Sequence, residues 1–315
     1  MPATTERIAC IDVGTNTALL LVADLEPETG RIVTADHRQT IVRLGEKVDE
    51  RRIIRPEALE RLTTCLSEYR DLCGELGVKR IVAAGTSALR DAANRDEVIE
   101  AVKSATGIEI RCISGEEEAA LTFFGAVAEL ESVPEPFSVI DIGGGSTEII
   151  MGTVDKVESA VSMNIGSVRM TERFCASIPP SAEEFEAAKQ EIDSNLAKSL
   201  PPFFAGRQQV FGVAGTVTTI AQVCMGDMEF DAAKVQGYSL EYSAVHELLD
   251  RLRAMRLDEI VALGIPEGRA DVFTMGTLIL RQFMRMLGVG AVTVSIQGLR
   301  YGMAQQELQR LRNRN

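Results

Sequence analysis

Residues 137–152 read FSVIDIGGGSTEIIMG, and this stretch decides the fold. An apolar strand ends at Asp141, a glycine-rich turn follows, and a second apolar run begins after Glu148. Two strands joined by such a turn predict a β-hairpin with a flexible tip. Glycine lets a backbone approach a ligand closely, and successive N–H groups can form a concavity that binds phosphate oxygens. The candidate phosphate-binding residues of this tip are Gly143, Gly144, Gly145, Ser146 and Thr147.

Two acids flank the same tip. Carboxylates beside a phosphate are tolerable only when a cation or a proton joins them, because like charges repel. Asp141 and Glu148 therefore predict either Mg²⁺ binding, since Mg²⁺ prefers oxygen ligands, or acid–base chemistry.

The motif occurs a second time, near the N-terminus. Residues 7–25 read RIACIDVGTNTALLLVADL, and Asp141 follows Asp12 by 129 residues. This distance is the length of a domain and not of a short repeat. We therefore expect a duplicated fold whose two hairpins face each other across a cleft and hold one phosphate chain. The candidate residues of the first hairpin are Asp12, Gly14, Thr15, Asn16 and Thr17.

Composition restricts the remaining possibilities. A chain of 315 residues with 45% hydrophobic and 25% charged residues predicts two ordinary globular domains. Neither a long apolar run nor a signal-peptide pattern is present, so we expect a cytoplasmic protein without membrane segments. The six scattered cysteines predict buried thiols. With two histidines only, any metal is expected to be a hard cation on oxygen ligands.

The formal net charge is −13. This charge argues against a nucleic-acid-binding face, which requires a broad basic surface. It also repels a polyanionic substrate, so local N–H groups, Mg²⁺ and a few arginines must overcome the overall field. On this ground alone a short or nucleotide-linked phosphate chain is favoured over a very long one.

Hydrophobic periodicity predicts the order β-β-β-α-β-α-β for the first half of the chain, which is an α/β domain with a mixed sheet. We expect loops at residues 45–54 and 86–94, and a helix from Glu116 to Glu131. The second half repeats the plan. At residues 210–221, VFGVAGTVTTIA predicts a strand, a glycine turn and a helix N-terminus, a geometry that suits anions.

The motifs together resemble the Ppx/GppA family of exopolyphosphatases and guanosine pentaphosphate phosphatases. They cover essentially the whole chain in the family's order: IDVGTNTALLLV, GTSALRDAAN, ISGEEEAALTFFGAV, VIDIGGGSTEII, NIGSVRMTERF, GVAGTVTTIA, RADVFTMGTLIL and VTVSIQGLRYGMA. The resemblance implies two actin-like domains of the sugar kinase–Hsp70–actin, ribonuclease H-like group around a cleft. Residues 1–122 would form the first domain, with the helix at 299–315 returning to it, and residues 123–298 the second.

The resemblance also implies roles for individual residues. Glu118 would be the general base that activates water, while Glu116 and Glu117 are expected to be solvated. Mg²⁺ would be held by Asp12, Asp141 and Glu148. Arg90 would contact phosphate through its guanidinium fork. Gly215 and Thr216 would hold phosphate or ribose at a helix N-terminus, with strand–helix packing as their alternative role. Weaker candidates for phosphate contacts are Asn94 and Arg169.

Two departures from the family pattern are visible. The acid that often precedes Gly-Leu-Arg is absent before Gly298, and the chain resembles the short, two-domain form. The implied activity is Mg²⁺-dependent hydrolysis of a terminal phosphoanhydride, with inorganic polyphosphate as the favoured substrate and guanosine pentaphosphate as the alternative. A kinase of the same fold group and a non-catalytic actin-like nucleotide-binding regulator stay open, as does a homodimer.

Overall fold

The computed structural model describes residues 5–128, 130, 132–200 and 209–313. The chain divides into two compact units. The first comprises Met1–Glu131 and Gln297–Asn315, and the second comprises Ser132–Ile296. The predicted boundary after residue 122 lies inside a helix of the first unit, and the domain limits drawn from the sequence stay a prediction.

The first unit is a five-stranded mixed sheet with helices on both faces. Its strands are β1 (Glu6–Val13), β2 (Thr17–Glu26), β3 (Arg31–Ile41), β4 (Arg80–Gly85) and β5 (Ile110–Cys112), in the spatial order β3-β2-β1-β4-β5. Its helices are α1 (Val48–Arg51), α2 (Pro56–Glu75), α3 (Ser87–Asp91), α4 (Arg95–Thr106) and α5 (Gly115–Ala126). One more helix of this unit comes after the second unit in the sequence.

The second unit holds a six-stranded mixed sheet. Its strands are β6 (Phe137–Ile142), β7 (Thr147–Thr153), β8 (Lys156–Met163), β9 (Gln209–Val213), β10 (Ser239–Glu241) and β11 (Ala291–Val294), in the order β10-β11-β9-β6-β7-β8. Its helices are α6 (Ser167–Phe174), α7 (Ala182–Ser199), α8 (Ala214–Met225), α9 (Ala232–Val235), α10 (Tyr242–Leu252), α11 (Leu257–Val261) and α12 (Glu267–Leu287). The returning helix of the first unit is α13 (Leu299–Arg312).

The two sheets are built on one plan. Strands β1, β2 and β3 are antiparallel neighbours, and β4 and β5 continue the sheet in parallel with β1. Strands β6, β7 and β8 repeat the antiparallel part, and β9 and β11 repeat the parallel part. The second sheet differs by its additional edge strand β10, which is antiparallel to β11. The predicted α/β fold class and the predicted duplication are confirmed.

The two-residue period of β1 decides where its acid lies. Ala9, Ile11 and Val13 pack in the core on the side of α2 and α4. Ile8 and Cys10 pack in the core on the side of α13. Because side chains of a strand alternate between faces, Asp12 belongs to the α13 side.

Helices α5 and α13 pack against each other at two glycines, Gly125 and Gly302. A Cβ atom at Gly125 would overlap the carbonyl of Gly298, and a Cβ atom at Gly302 would overlap the carbonyl of Leu121. Only glycine permits this backbone approach. The backbones of the two helices therefore pack closely together on one face of the first sheet.

Most element predictions agree with the structure, and the exceptions are short. The predicted loop at 45–54 contains α1, and the predicted loop at 86–94 contains α3. Helix α5 ends at Ala126, so the predicted helix is too long, because Val127 and Ala128 form a turn. The predicted end at Glu131 lies outside the described residues, as do the last two residues of the predicted helix 299–315. Within the described ranges, the helices are all too short or too polar to cross a bilayer.

Candidate active site

The carboxyl ends of three parallel strands bring the candidate residues of the first unit together. Asp12 pairs with Ala84 between β1 and β4, and Gly85 pairs with Cys112 between β4 and β5. Parallel strands end at the same edge of a sheet. Asp12 at the end of β1, Arg90 in the helix after β4 and Glu118 in the helix after β5 therefore share one edge.

The first hairpin tip, residues 14–17, is closed by a hydrogen bond from the Gly14 N–H to the Thr17 carbonyl at 3.0 Å. The carbonyls of Thr15 and Asn16 accept hydrogen bonds from the segment that follows β3. The Thr15 carbonyl accepts from the Gly45 N–H, and the Asn16 carbonyl accepts from the N–H groups of Val42 and Arg43. In a trans peptide the N–H of the next residue points opposite to the carbonyl. The N–H groups of Asn16 and Thr17 therefore point away from this anchor, as a phosphate site requires.

Asp12 is a partly buried residue whose carboxylate has an unfavourable environment. Its Oδ1 atom is buried and has no hydrogen-bond partner. Burial, reinforced by the nearby charge of Glu118, raises the pKa of the Asp12 carboxyl from 3.8 to about 7, although the buried guanidinium of Arg300 opposes this shift. Arg300 therefore compensates the charge of an ionised Asp12 only in part.

Glu118 is held in the first turns of α5. Ser114 caps the N-terminus of this helix: its hydroxyl accepts from the Glu117 N–H at 3.1 Å, and its carbonyl accepts from the Glu118 N–H. The side chain of Glu118 is 10% exposed and forms an ion pair with Arg90 at 2.5 Å. Burial raises the pKa of Glu118, and Arg90 offsets only part of that increase. Arg90 also donates to the Ile113 carbonyl at 3.3 Å, which fixes the pair at the sheet edge.

The second hairpin tip, residues 143–146, repeats the turn of the first. The Gly143 N–H donates to the Ser146 carbonyl at 3.0 Å. The tip carbonyls are anchored on α6: those of Gly143 and Gly144 accept from its first N–H groups, and that of Gly145 accepts from the Arg169 Nε at 2.6 Å. By peptide planarity the N–H groups of residues 144–146 point away from α6. Three successive N–H groups with this direction form the predicted type of phosphate cradle.

Asp141 and Glu148 are direct partners across β6 and β7. Directly opposite residues of an antiparallel pair lie on the same face of the sheet, and both side chains are buried. Glu148 accepts a hydrogen bond from the Ser162 hydroxyl at 2.6 Å. The equivalent pair in the first hairpin is Asp12 and Leu19, so the second acid is unique to the second unit.

The junction of β9 and α8 is strained and packed around an arginine. Ala214 has a φ of 69°, a left-handed conformation that costs an alanine free energy. The buried Arg269 donates from Nη1 to the Gly215 carbonyl at 2.9 Å and to the Thr219 hydroxyl at 2.6 Å. A Cβ atom at Gly215 would collide with this guanidinium. Burial lowers the pKa of Arg269 to about 10.

The remaining candidates are buried or hydrogen-bonded within their own units. The Thr147 hydroxyl is fully buried and donates to the Ile165 carbonyl at 2.7 Å. Asn94 exchanges two hydrogen bonds with the backbone of Ile54. Thr216 is buried at the start of α8. The roles of all of these residues in substrate binding stay predictions.

Sequence reasoning missed two buried arginines. Arg269 holds the β9–α8 junction, and Arg300 lies beside Asp12 while donating to the Leu20 carbonyl at 2.9 Å. Each stands in a motif that was recognised, RADVFTMGTLIL or GLRYGMA, among mostly apolar residues. An arginine in an apolar helical segment is the signal that could have indicated them, because a buried charge requires a specific environment.

The residues present fit a divalent cation. Each sheet has a carboxylate at the end of its first strand, one of them with an unpartnered buried oxygen, and these are the hard oxygen ligands that Mg²⁺ prefers. Across the residues that the structure describes, no group of three or more His, Cys, Asp or Glu side chains forms a complete ligand set. A bound Mg²⁺ would take its other ligands from phosphate oxygens and water, as is usual for this ion.

We expect Asp12→Asn to stabilise the metal-free protein in a pH-dependent way. The pKa of Asp12 is higher in the folded state, so its contribution to stability is complete below pH 3.8 and is lost as pH rises through about 7. Asparagine resembles the protonated form at every pH. In EDTA, the advantage of Asp12→Asn in free energy of unfolding should grow by about 2 kcal/mol between about pH 5.5 and pH 8, as measured by urea titration.

Asp155→Asn is the control for this experiment because Asp155 is exposed in the turn before β8. This variant makes the same chemical change at the protein surface. A stability gain for Asp12→Asn that is absent at pH 8, or that shrinks between pH 5.5 and pH 8, contradicts the assignment of Asp12 as an acid whose ionised form the fold disfavours.

Comparison with known proteins places this architecture. The repeated sheet, with an acid and a tight tip at the end of the first strand of each copy, defines a duplicated α/β protein. The model of the Ppx/GppA phosphatase family matches residues 22–311. The chain therefore belongs to the Ppx/GppA phosphatase family, and the resemblance drawn from its motifs is confirmed.

Individual relatives cover nearly the whole chain. It is 37% identical to exopolyphosphatase 2 of Mycobacterium tuberculosis over 314 residues, which are 95% of this chain and 97% of that protein. It is 31% identical to the guanosine-5′-triphosphate,3′-diphosphate pyrophosphatase of Vibrio vulnificus over 310 residues, 96% of this chain and 60% of that protein. The crystal structure of an exopolyphosphatase from Cytophaga hutchinsonii is similar with a TM-score of 0.85 at 28% identity, covering 96% of this chain and 98% of that one.

Proposed function

We propose that this protein is an exopolyphosphatase that hydrolyses the terminal phosphoanhydride of inorganic polyphosphate with Mg²⁺ and releases orthophosphate. The observation that carries the proposal is the buried Glu118, ion-paired to Arg90 at the sheet edge that also holds Asp12 and the first tip. A module that only binds nucleotide has no need for a buried carboxylate with a raised pKa at this place. The full-length similarity to a protein named exopolyphosphatase 2 supports the same choice.

In the proposed reaction, Glu118 accepts a proton from water while the water oxygen attacks the terminal phosphorus. The bond from that phosphorus to the bridging oxygen breaks, and the shortened chain leaves with the bridging oxygen. Burial raises the pKa of Glu118, which makes its carboxylate a stronger proton acceptor, as a general base requires. Arg90 can bind phosphate while it holds Glu118, since a guanidinium has five N–H donors.

The tips and acids have complementary roles. The outward N–H groups of both tips would bind phosphate oxygens, and catalysis of phosphoryl transfer depends mainly on such positioning and charge stabilisation. Asp12, Asp141 and Glu148 would hold Mg²⁺, which when bound neutralises negative charge on the phosphate oxygens. The sequence resemblance predicts that the two hairpins act on one phosphate chain.

A second candidate substrate is guanosine pentaphosphate, because the relative from Vibrio vulnificus is named for that nucleotide. Orthophosphate release from long-chain polyphosphate and from guanosine pentaphosphate, each with Mg²⁺ and with EDTA, tests the choice. We expect Mg²⁺-dependent release with a higher kcat/KM for polyphosphate. A higher value for the nucleotide selects the alternative. Nucleotide binding without release from either substrate favours the actin-like regulator.

A further inference from the structure

One segment of this acidic protein is basic, and it lies against the first tip. We name residues 43–55 the basic segment. It contains five basic residues, Arg43, Lys47, Arg51, Arg52 and Arg55, against the three acids Glu46, Asp49 and Glu50. Lys47, Arg51 and Arg52 are exposed, in a protein of formal net charge −13. A local positive surface on such a background is a specific feature that the general charge balance does not explain.

Both ends of the basic segment are attached to elements of the candidate site. At its start, the N–H groups of Arg43 and Gly45 hold the carbonyls of the first tip at 2.9 and 2.8 Å. At its end, the Arg52 carbonyl accepts from the Ala93 N–H at 2.6 Å, and Ile54 is held by Asn94. Ala93 and Asn94 follow α3, which carries Arg90. The segment therefore runs along the sheet edge from the first tip to the arginine helix.

The backbone of the segment is unusual at its basic residues. Four non-glycine residues of the described chain have positive φ, and three of them are Arg43, Lys47 and Arg52, with φ of 48°, 60° and 58°. The last two bracket the four-residue helix α1, whose Val48 is buried. Glycine or asparagine would adopt this conformation at lower cost. These three basic residues keep a strained backbone conformation beside the first tip. We infer from this strain that their side chains have a function.

The other arginines of this region are used internally. Arg61 donates to the Val42 carbonyl at 2.8 Å and pairs with Glu46, which also lies 3.6 Å from Arg55. The ion pair of Arg52 with Asp91 is long, at 3.9 Å, and the Arg52 side chain is 57% exposed. The internal arginines thus hold the segment in shape, and the exposed cations at 47, 51 and 52 face the solvent.

We propose that the basic segment binds the phosphate chain beyond the terminal residues, so that it selects long polyphosphate over short phosphate chains. This inference rests on the proposed function, of which it specifies the substrate class. Repeating phosphates can contact a row of cations with release of counterions, so affinity should fall steeply with salt. The positive charge of the segment would attract the phosphate chain locally, whereas the net negative charge of the whole protein repels it.

The variant Lys47→Asn/Arg52→Asn tests this proposal, because asparagine tolerates left-handed backbone and removes the charge. Arg70→Gln/Lys79→Gln is the matched control: it removes two positive charges near the amino edge of the same sheet, where β4 begins. Binding of long-chain polyphosphate is measured in EDTA by a method that does not depend on hydrolysis. KM and kcat are measured with Mg²⁺ for tripolyphosphate and for long-chain polyphosphate.

We expect Lys47→Asn/Arg52→Asn to weaken binding of the long chain on the order of tenfold, with a smaller salt dependence. Its KM for the long chain should rise, its kcat and its KM for tripolyphosphate should stay within about twofold, and its Tm should equal or exceed that of the wild type. The control should bind as the wild type does.

Unchanged binding and KM in a hydrolytically active protein overturn the inference and leave the proposed function standing. Weakened binding in a protein that hydrolyses no polyphosphate supports the surface and refutes the proposed function. A wild-type protein that neither binds nor hydrolyses long chains refutes both.

Discussion

Glu118→Gln is expected to lower kcat for phosphate release by about 10²- to 10⁴-fold, the usual contribution of a general base. Glutamine keeps the shape of the side chain and removes its ability to accept a proton. The fold should be retained, because Glu118 is a buried acid with a raised pKa and its ionised form is already disfavoured by burial. The measurement is kcat at saturating polyphosphate together with a thermal melt followed by circular dichroism.

Glu117→Gln is a closely matched control. Glu117 is the neighbouring residue of the same helix and also pairs with an arginine, Arg111, at 2.6 Å, but its side chain is 34% exposed. An exposed ion pair contributes little to stability, so this variant should keep its activity. A Glu118→Gln enzyme that retains wild-type kcat would remove Glu118 from the reaction.

The pH dependence should separate this role from a structural one. If Glu118 transfers the proton, the rise of kcat with pH that its titration produces in the wild type should disappear in the residual activity of Glu118→Gln. A purely structural role would lower kcat and leave the shape of the profile unchanged. The same melt experiment measures the stability cost of the substitution, of which the main structural cause is that Arg90 loses its ionised partner at 2.5 Å.

The sequence predicted the duplicated sheets because the information is local and repeated. The Ile-Asp-x-Gly pattern appears twice, at Asp12 and Asp141, and each copy begins an antiparallel hairpin that the structure contains in the same register. Val13 pairs with Ala18, and Ile142 pairs with Thr147, so both tips have four residues. Alternation and turn residues suffice to predict such a hairpin.

The anchoring of the tips could not be predicted in this way. The first tip is held by backbone N–H groups from residues 42–45 and the second by the start of α6. These are contacts between elements distant in sequence, and all of them except the one from the Arg169 Nε are made by backbone atoms. The short helix α1 was missed for a related reason: the residues at its ends, Lys47 and Arg52, have left-handed backbone without the glycine or asparagine that signals it.

The electrostatic properties of the site also could not be predicted without the three-dimensional fold. Sequence reasoning indicated Asp12 as a metal ligand, but not the buried Arg300 beside it, because α13 lies nearly the whole chain length away. The pKa of a carboxyl depends on burial and on neighbouring charges, and neither is visible in a linear pattern. Arg269 against Gly215 is the equivalent case in the second unit.

Gly166→Ala is expected to lower kcat/KM by on the order of 10²-fold, because a displacement of about 1 Å in a positioning element costs that much. Gly166 has extended backbone, so alanine causes no strain in φ. The difficulty is steric: its Cβ atom would overlap the carbonyl of Gly144 and the backbone of Gly145. These atoms belong to the second tip and cannot move aside as a flexible side chain would. Either the tip or the start of α6 has to shift.

Hydrogen exchange gives this prediction a structural readout. In the wild type, the N–H groups of Ser167 and Val168 donate to the tip carbonyls at 3.0 and 2.9 Å and should be protected. In Gly166→Ala their protection should fall, while that of the β6 and β9 core strands stays unchanged. The control is Gly290→Ala in the same unit, where an added Cβ atom meets no atom within 4 Å. A Gly166→Ala enzyme with full activity and full protection at Ser167 would show that the contact between the second tip and α6 does not position the substrate.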